Sequence, residues 1–118
     1  VDDEEDLRSM LERVLSNAGY QVMLASTGME ALQIFDERRG QVDLVILDMI
    51  MPEMNGLRTL DLLKERAPNV RVLLSSGYSD EGQARDALAR GARGFIQKPF
   101  AFQDILRKIR SVLDEQEA

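Results

Sequence analysis

The sequence predicts an α/β fold: one doubly wound parallel sheet with helices packed on both faces. Three observations point there. Helical and strand-like apolar patterns alternate along all 118 residues. Leu44-Val45-Ile46-Leu47 and Val70 to Leu74 are apolar with hardly a break, as strands covered on both faces require. No internal repeat or low-complexity stretch interrupts the alternation, and the length suits a single domain, 1–118. Right-handed crossovers then lay each helix over the sheet.

The elements follow in order. Leu7, Met10, Leu11, Val14 and Leu15 share one face of a helix, and Gly19 suits its left-handed stop. Tyr20 to Ala25 is a short β-type run. Thr27-Gly28-Met29-Glu30 has capping-box spacing and opens a helix carrying Ala31, Leu32 and Phe35 that ends near Gly40. After the apolar run at 44–47 comes a helix with Leu57, Leu60 and Leu63, stopping before Pro68. Val70 to Leu74 is the next strand, and Asp80 opens a helix with Ala84, Ala87 and Leu88 that Gly91 closes. Gly94 to Gln97 is a short strand. Phe102, Ile105, Leu106, Ile109, Val112 and Leu113 form the apolar face of a final helix. This gives five helices and four strands. A doubly wound domain starts with a strand, so the lone Val1 ahead of the first helix predicts a truncated first strand.

Composition removes several chemistries. Without Cys or His there is no disulfide scaffold, thiol catalysis, Ser/His/Asp triad or imidazole metal ligand. Neither a G-x-x-x-x-G-K nor a G-x-G-x-x-G string occurs. Of the 21 acids, five stand consecutively at Asp2, Asp3, Glu4, Glu5 and Asp6, leaving 16 against 15 bases. The charge is one acidic spot on a nearly neutral chain. That argues against a nucleic-acid surface. No apolar run approaches the roughly 18 residues of a membrane span, so the expectation is a cytoplasmic domain without membrane contact.

Ligands of open parallel sheets gather beyond the carboxyl ends of the strands. There stand Asp2 and Asp3 after the presumed first strand, Asp48 after the 44–47 run, Ser75 and Ser76 after 70–74, and Lys98 before Pro99. Singly, each has an ordinary reading as turn chemistry or solvated surface. Together, three carboxylates, a hydroxyl and an ammonium describe one site. Clustered carboxylates repel one another unless a cation sits among them. Oxygen ligands favour a hard ion such as Mg²⁺. The neighbouring Met49, Met51 and Met54 are read as packing of the loop rather than soft-metal ligands.

Asp2-Asp3-Glu4, Asp48-Met49-Ile50-Met51-Pro52-Glu53-Met54-Asn55-Gly56, Ser75-Ser76-Gly77 and Lys98-Pro99-Phe100, in that order and spacing, resemble the receiver domain of two-component response regulators. The resemblance implies a flavodoxin-like sheet of strand order 2-1-3-4-5 with five helices. It implies Asp48 as phosphoacceptor and Asp2, Asp3, the Asp48 carboxylate and the Ile50 backbone carbonyl as Mg²⁺ ligands. Ser76 and Lys98 would contact the phosphoryl group, and Lys98-Pro99 would be a cis peptide. Ser76 and Phe95 would form a switch that alters a face built from the fourth helix, fifth strand and fifth helix. The donor would be a histidine kinase or histidine phosphotransfer domain, and the receiver of a hybrid sensor kinase is one suggested setting. An output protein or domain would read the face, with a homodimer left open. The isolated domain would catalyse only its own phosphorylation and dephosphorylation. Phe95 stands where Tyr is commoner, leaving that switch to packing. Ile50 and Tyr78 are bulky beside the expected phosphoryl position and predict a long-lived phosphorylated state.

Two other readings remain open on the residues. A haloacid-dehalogenase-type phosphatase also uses an Asp nucleophile with Mg²⁺, but wants a second acid two positions on, where Ile50 stands. A degenerate receiver acting only as an interaction module would not need the intact acid, hydroxyl and Lys set.

Overall fold

The computed structural model describes residues 1–39, 41–49, 56–76, 81–98 and 100–114, without the side chains of residues 76 and 81–84. Its elements are α1 (Glu5–Asn17), α2 (Gly28–Glu37), β1 (Val45–Asp48), α3 (Gly56–Arg66), β2 (Val72–Ser76), α4 (Glu81–Ala89), β3 (Gly94–Gln97) and α5 (Phe102–Asp114). The three strands pair in parallel in the order β1-β2-β3.

Alternation along the strands divides the core into two layers, because successive side chains leave a strand on opposite faces. Val45, Leu47, Val72 and Leu74 join Leu32, Phe35, Leu60 and Leu63 on the α2–α3 side. Leu44, Ile46 and Leu73 join Leu15, Ile105 and Ile109 on the α1–α5 side. Both faces are thus covered by helices, as the unbroken apolar runs require.

Helix ends follow local chemistry. At the end of α1, Gly19 at φ 98° lets its amide bond to Ser16 O and the Tyr20 amide to Leu15 O, which satisfies carbonyls the helix leaves unpaired. The same paired arrangement closes α4 around Gly91 at φ 109°. At α2, Thr27 accepts from the Glu30 amide at 3.1 Å. The reciprocal half of the expected box is redirected, since the Glu30 carboxylate instead accepts from the Ser26 hydroxyl at 2.9 Å.

Three expectations need correction. Residues 20–25 do not form a ladder strand. A strand exists through its neighbour, and among the described residues this segment lies beside Val1-Asp2, where the Asp2 amide donates to Ala25 O at 3.0 Å. On its other side the Val1 ammonium donates to Ile46 O at 2.6 Å, and the Asp48 amide donates to Val1 O at 3.0 Å. The backbone therefore runs 20–25, Val1, β1, β2, β3 across the molecule, which is the expected 2-1-3-4-5 sequence of places with three of them paired as strands. Beside Val1 lies a cavity of about 1070 Å³, lined by Leu11 and Leu15 from one side and Phe35 from the other. Above it α1 buries only Leu15 fully and leaves Met10 exposed. Second, β2 is shifted toward the C-terminus: Ser75 and Ser76 are its last two ladder residues, paired to Asp48 and Gln97. Third, Phe102 is exposed although it lies on the apolar side of α5 by spacing. It occupies the first turn, beyond the sheet that Ile105 and Ile109 cover.

Candidate functional site

The strands deliver three groups to one rim. Asp48 ends β1, Ser76 ends β2, and Lys98 follows the last residue of β3. Register Asp48↔Ser75 and Ser76↔Gln97 keeps these ends level. Val1, bonded to β1 through its ammonium and its carbonyl, carries Asp2 and Asp3 to the same rim. Asp2, Asp3 and Asp48 each present a carboxylate oxygen within 4.8 Å of the others. Asp2 and Asp48 are 4% and 6% exposed, whereas Asp3 faces solvent.

Lys98 ties the cluster together. Its Nζ donates to Asp2 Oδ2 at 3.0 Å and to Asp48 Oδ2 at 3.3 Å, with Glu4 Oε1 3.8 Å away. Burial lowers the pKa of this ammonium, but hydrogen bonds and charge from Asp2 and Asp48 outweigh burial and hold it above the ordinary 10.5. The Val1 ammonium shows the opposite balance. Burial brings it from 8.0 to about 6, although Asp2 and Asp48 pull it upward.

The second Asp2 oxygen, Oδ1, accepts the Glu4 amide at 2.9 Å, an Asx-type turn that leads into α1. Arg8, one turn into α1, donates from Nη1 to the Asp2 carbonyl at 2.8 Å. At the other end of the site, the Gly56 amide donates to Met49 O at 2.9 Å. The start of α3 is thereby folded against the end of β1.

Three acidic side chains around one ammonium leave a surplus of negative charge, and their donors are all oxygen. That set fits a hard divalent cation, which takes carboxylates and keeps several waters. Soft-metal chemistry is not suited to it. Met49 is fully buried in the core, as its packing role predicts.

The structure brings together Asp2, Asp3, Asp48 and Lys98 of the expected set, and the ladder places Ser76 at the same edge. Phe95 lies on β3 with 39% exposure. The Ile50 carbonyl, Tyr78, the Pro99 half of the expected cis peptide, and the Met51 and Met54 packing lie outside the described residues. Arg8 and Gly56 were not singled out by function in the sequence. The signal for Arg8 is slight: a base two residues beyond five consecutive acids.

A family model described as "Response regulator receiver domain" matches residues 1–110. The chain belongs to the response regulator receiver family. It is 36% identical to the sensor kinase CckA of Brucella abortus over 117 residues, 99% of this chain and 12% of that kinase. It is 34% identical to the chemotaxis protein CheY of Listeria monocytogenes over 110 residues, 92% of this chain and 91% of that protein. Among solved structures, the CheX-CheY-BeF3-Mg complex from Borrelia burgdorferi contains a chain with TM-score 0.90 and 30% identity, covering 97% of this chain and 86% of that one. The protein is a receiver domain of two-component signalling, built on the flavodoxin-like fold, and the phosphatase reading of Asp48 falls away. No helix among the described residues is long and apolar enough to cross a membrane.

Proposed function

We propose that this receiver takes a phosphoryl group onto Asp48 from a phosphohistidine of a histidine kinase or histidine phosphotransfer domain. The observation that carries the reading is the convergence of Asp2, Asp3 and Asp48 within 4.8 Å around the Lys98 ammonium. A carboxylate oxygen of Asp48 attacks phosphorus, an O–P bond forms, the P–N bond to the donor imidazole breaks, and the ring leaves with the electron pair. The protein has little covalent work in such a transfer, so positioning and charge neutralisation dominate.

Lys98 is already bonded to Asp48 and offers a donor to an arriving phosphoryl oxygen. Asp2, Asp3 and Asp48 would hold Mg²⁺, with the Ile50 carbonyl expected from the sequence as a further ligand, and the ion would neutralise phosphoryl oxygens that otherwise repel the carboxylates. Ser76 ends β2 at the same rim, and this reading assigns its hydroxyl to the phosphoryl group.

Phosphorylation adds roughly −2 charge near pH 7 at a rim that already holds three acids. On this reading Ser76 and Phe95 form the switch, and Phe95 turns inward from its exposed position. The face this changes carries three exposed large apolar side chains, Leu88 on α4, Phe95 on β3 and Phe102 on α5. An output protein or a second copy reads that face, with no nucleic acid contacted directly. A single receiver occupies 1–118 and works in the cytoplasm, either free or as part of a hybrid kinase such as the relative it matches over 12% of its length.

The test is incubation with acetyl phosphate and Mg²⁺ followed by intact mass measurement. One phosphoryl group is expected on the parent chain and none on Asp48→Asn or after chelation of the ion. Undiminished uptake by Asp48→Asn would falsify the assignment.

A further inference from the structure

We propose that Arg8 is a positioning residue of the divalent-ion site, fixing the peptide that joins Asp2 to Asp3 so that both carboxylates meet Asp48. The inference rests on the reading of those three acids as ion ligands. Arg8 is half-buried in the first turn of α1, with its own amide bonded to Glu4 O at 3.0 Å. Helical side chains lean toward the N-terminus, so its guanidinium reaches back to the start of the chain. There Nη1 donates to the Asp2 carbonyl at 2.8 Å.

That carbonyl oxygen belongs to the peptide unit whose nitrogen is that of Asp3. The unit is planar, so holding its oxygen sets the direction in which Asp3 leaves. Asp2 has other restraints: its amide bonds Ala25 O, and its two carboxylate oxygens are engaged by Glu4 N and Lys98. Asp3 makes no side-chain hydrogen bond or ion pair among the described residues, and its carboxylate is placed by backbone alone. Arg8 acts on that backbone.

Charge makes the idea testable by sign. A guanidinium beside a cation site repels the cation, so its removal tightens binding if charge is all it contributes. Loss of a residue that orients metal ligands weakens binding, typically 10–100-fold. The experiment is calorimetric titration of Mg²⁺ into the 118-residue chain, its Arg8→Gln variant and its Arg8→Lys variant. Arg8→Gln is expected to bind Mg²⁺ about tenfold more weakly, with the ion-free amide resonances of Asp3 and Glu4 displaced. Arg8→Lys, which keeps the charge but loses the fixed planar donor, is expected to lose a smaller factor. Equal or tighter binding by Arg8→Gln overturns the proposal. Should Arg8→Gln fail to fold, Arg8→Lys decides: weakened binding supports the role and parental binding overturns it. A parent chain that takes up no Mg²⁺ overturns the underlying site reading instead.

Discussion

Gly56 and Asp48 stand so close that a single added carbon would not fit between them. A Cβ built on Gly56 lies 2.6 Å from Asp48 O and 2.7 Å from Met49 Cα. Both are backbone atoms at the end of β1 and cannot swing aside. Gly56→Ala therefore has to push α3 away from β1 or displace the carboxylate-bearing end of the strand. The expected cost is about 1–3 kcal/mol in urea unfolding, together with slower acceptance of phosphoryl from acetyl phosphate. Gly91→Ala, in contrast, meets a side chain rather than backbone, the end of Lys64 whose ammonium bonds Pro68 O and Val70 O, and adds left-handed backbone strain.

The Lys98 ammonium gives the pH dependence. Its folded pKa is raised, so the stability it contributes is fully present below the ordinary 10.5 and is lost as pH rises through the folded value. Urea unfolding of the parent and of Lys98→Met is expected to differ by a constant amount from neutral pH to about pH 10, then converge at higher pH. Nuclear magnetic resonance of the Lys98 side chain is expected to find it still charged at 10.5. Asp2→Asn is expected to lower its midpoint, because the neutral amide no longer favours the ammonium.

Phe95 offers an optical readout of the proposed switch. A Phe95→Trp variant is expected to fluoresce with a blue shift when beryllofluoride and Mg²⁺ are added together, and not with either alone. An indole that stays equally exposed in both conditions would exclude inward rotation of this side chain.

Core and surface substitutions should separate cleanly in size. Leu74 is fully buried in the central strand, and Leu74→Ala is expected to cost about 2–5 kcal/mol. Arg66 bonds Asp36 at 2.9 Å between α3 and α2, but both side chains are open to solvent. Arg66→Ala is expected to cost less than about 1 kcal/mol, and less still at high salt. Chemical denaturation of the two variants at low and high ionic strength checks both.

Much of this was legible because it was local. Gly19 and Gly91 mark helix ends through the left-handed backbone only glycine adopts easily, and Thr27 marks a start through a hydroxyl that reaches its own helix. Asp48 was legible because an acid directly after four apolar residues has to sit at a strand's end. What depended on distant neighbours was not. The apolar run at 20–25 looks like a strand, but among the described residues it meets Val1-Asp2 through the Asp2 amide bond to Ala25 O rather than through a ladder. Glu30 had Thr27 in prospect and took Ser26. Phe102 has core spacing yet overshoots the sheet. Arg8 is one base among 15, and only the fold back of residues 2–4 against α1 distinguishes it. Gly56 appears in a motif, but its reason lies in the backbone of Asp48 at the end of β1 and of Met49 just after it, eight and seven residues earlier in the chain.

The bond between Lys98 and Asp2 spans 96 residues of sequence, and this governs timing during synthesis. A ribosome-bound chain cannot neutralise its early acids with that ammonium until position 98 has emerged and β3 has docked on β2. Until then Asp2 and Asp48 stand together without the ammonium that bonds them both in the folded domain.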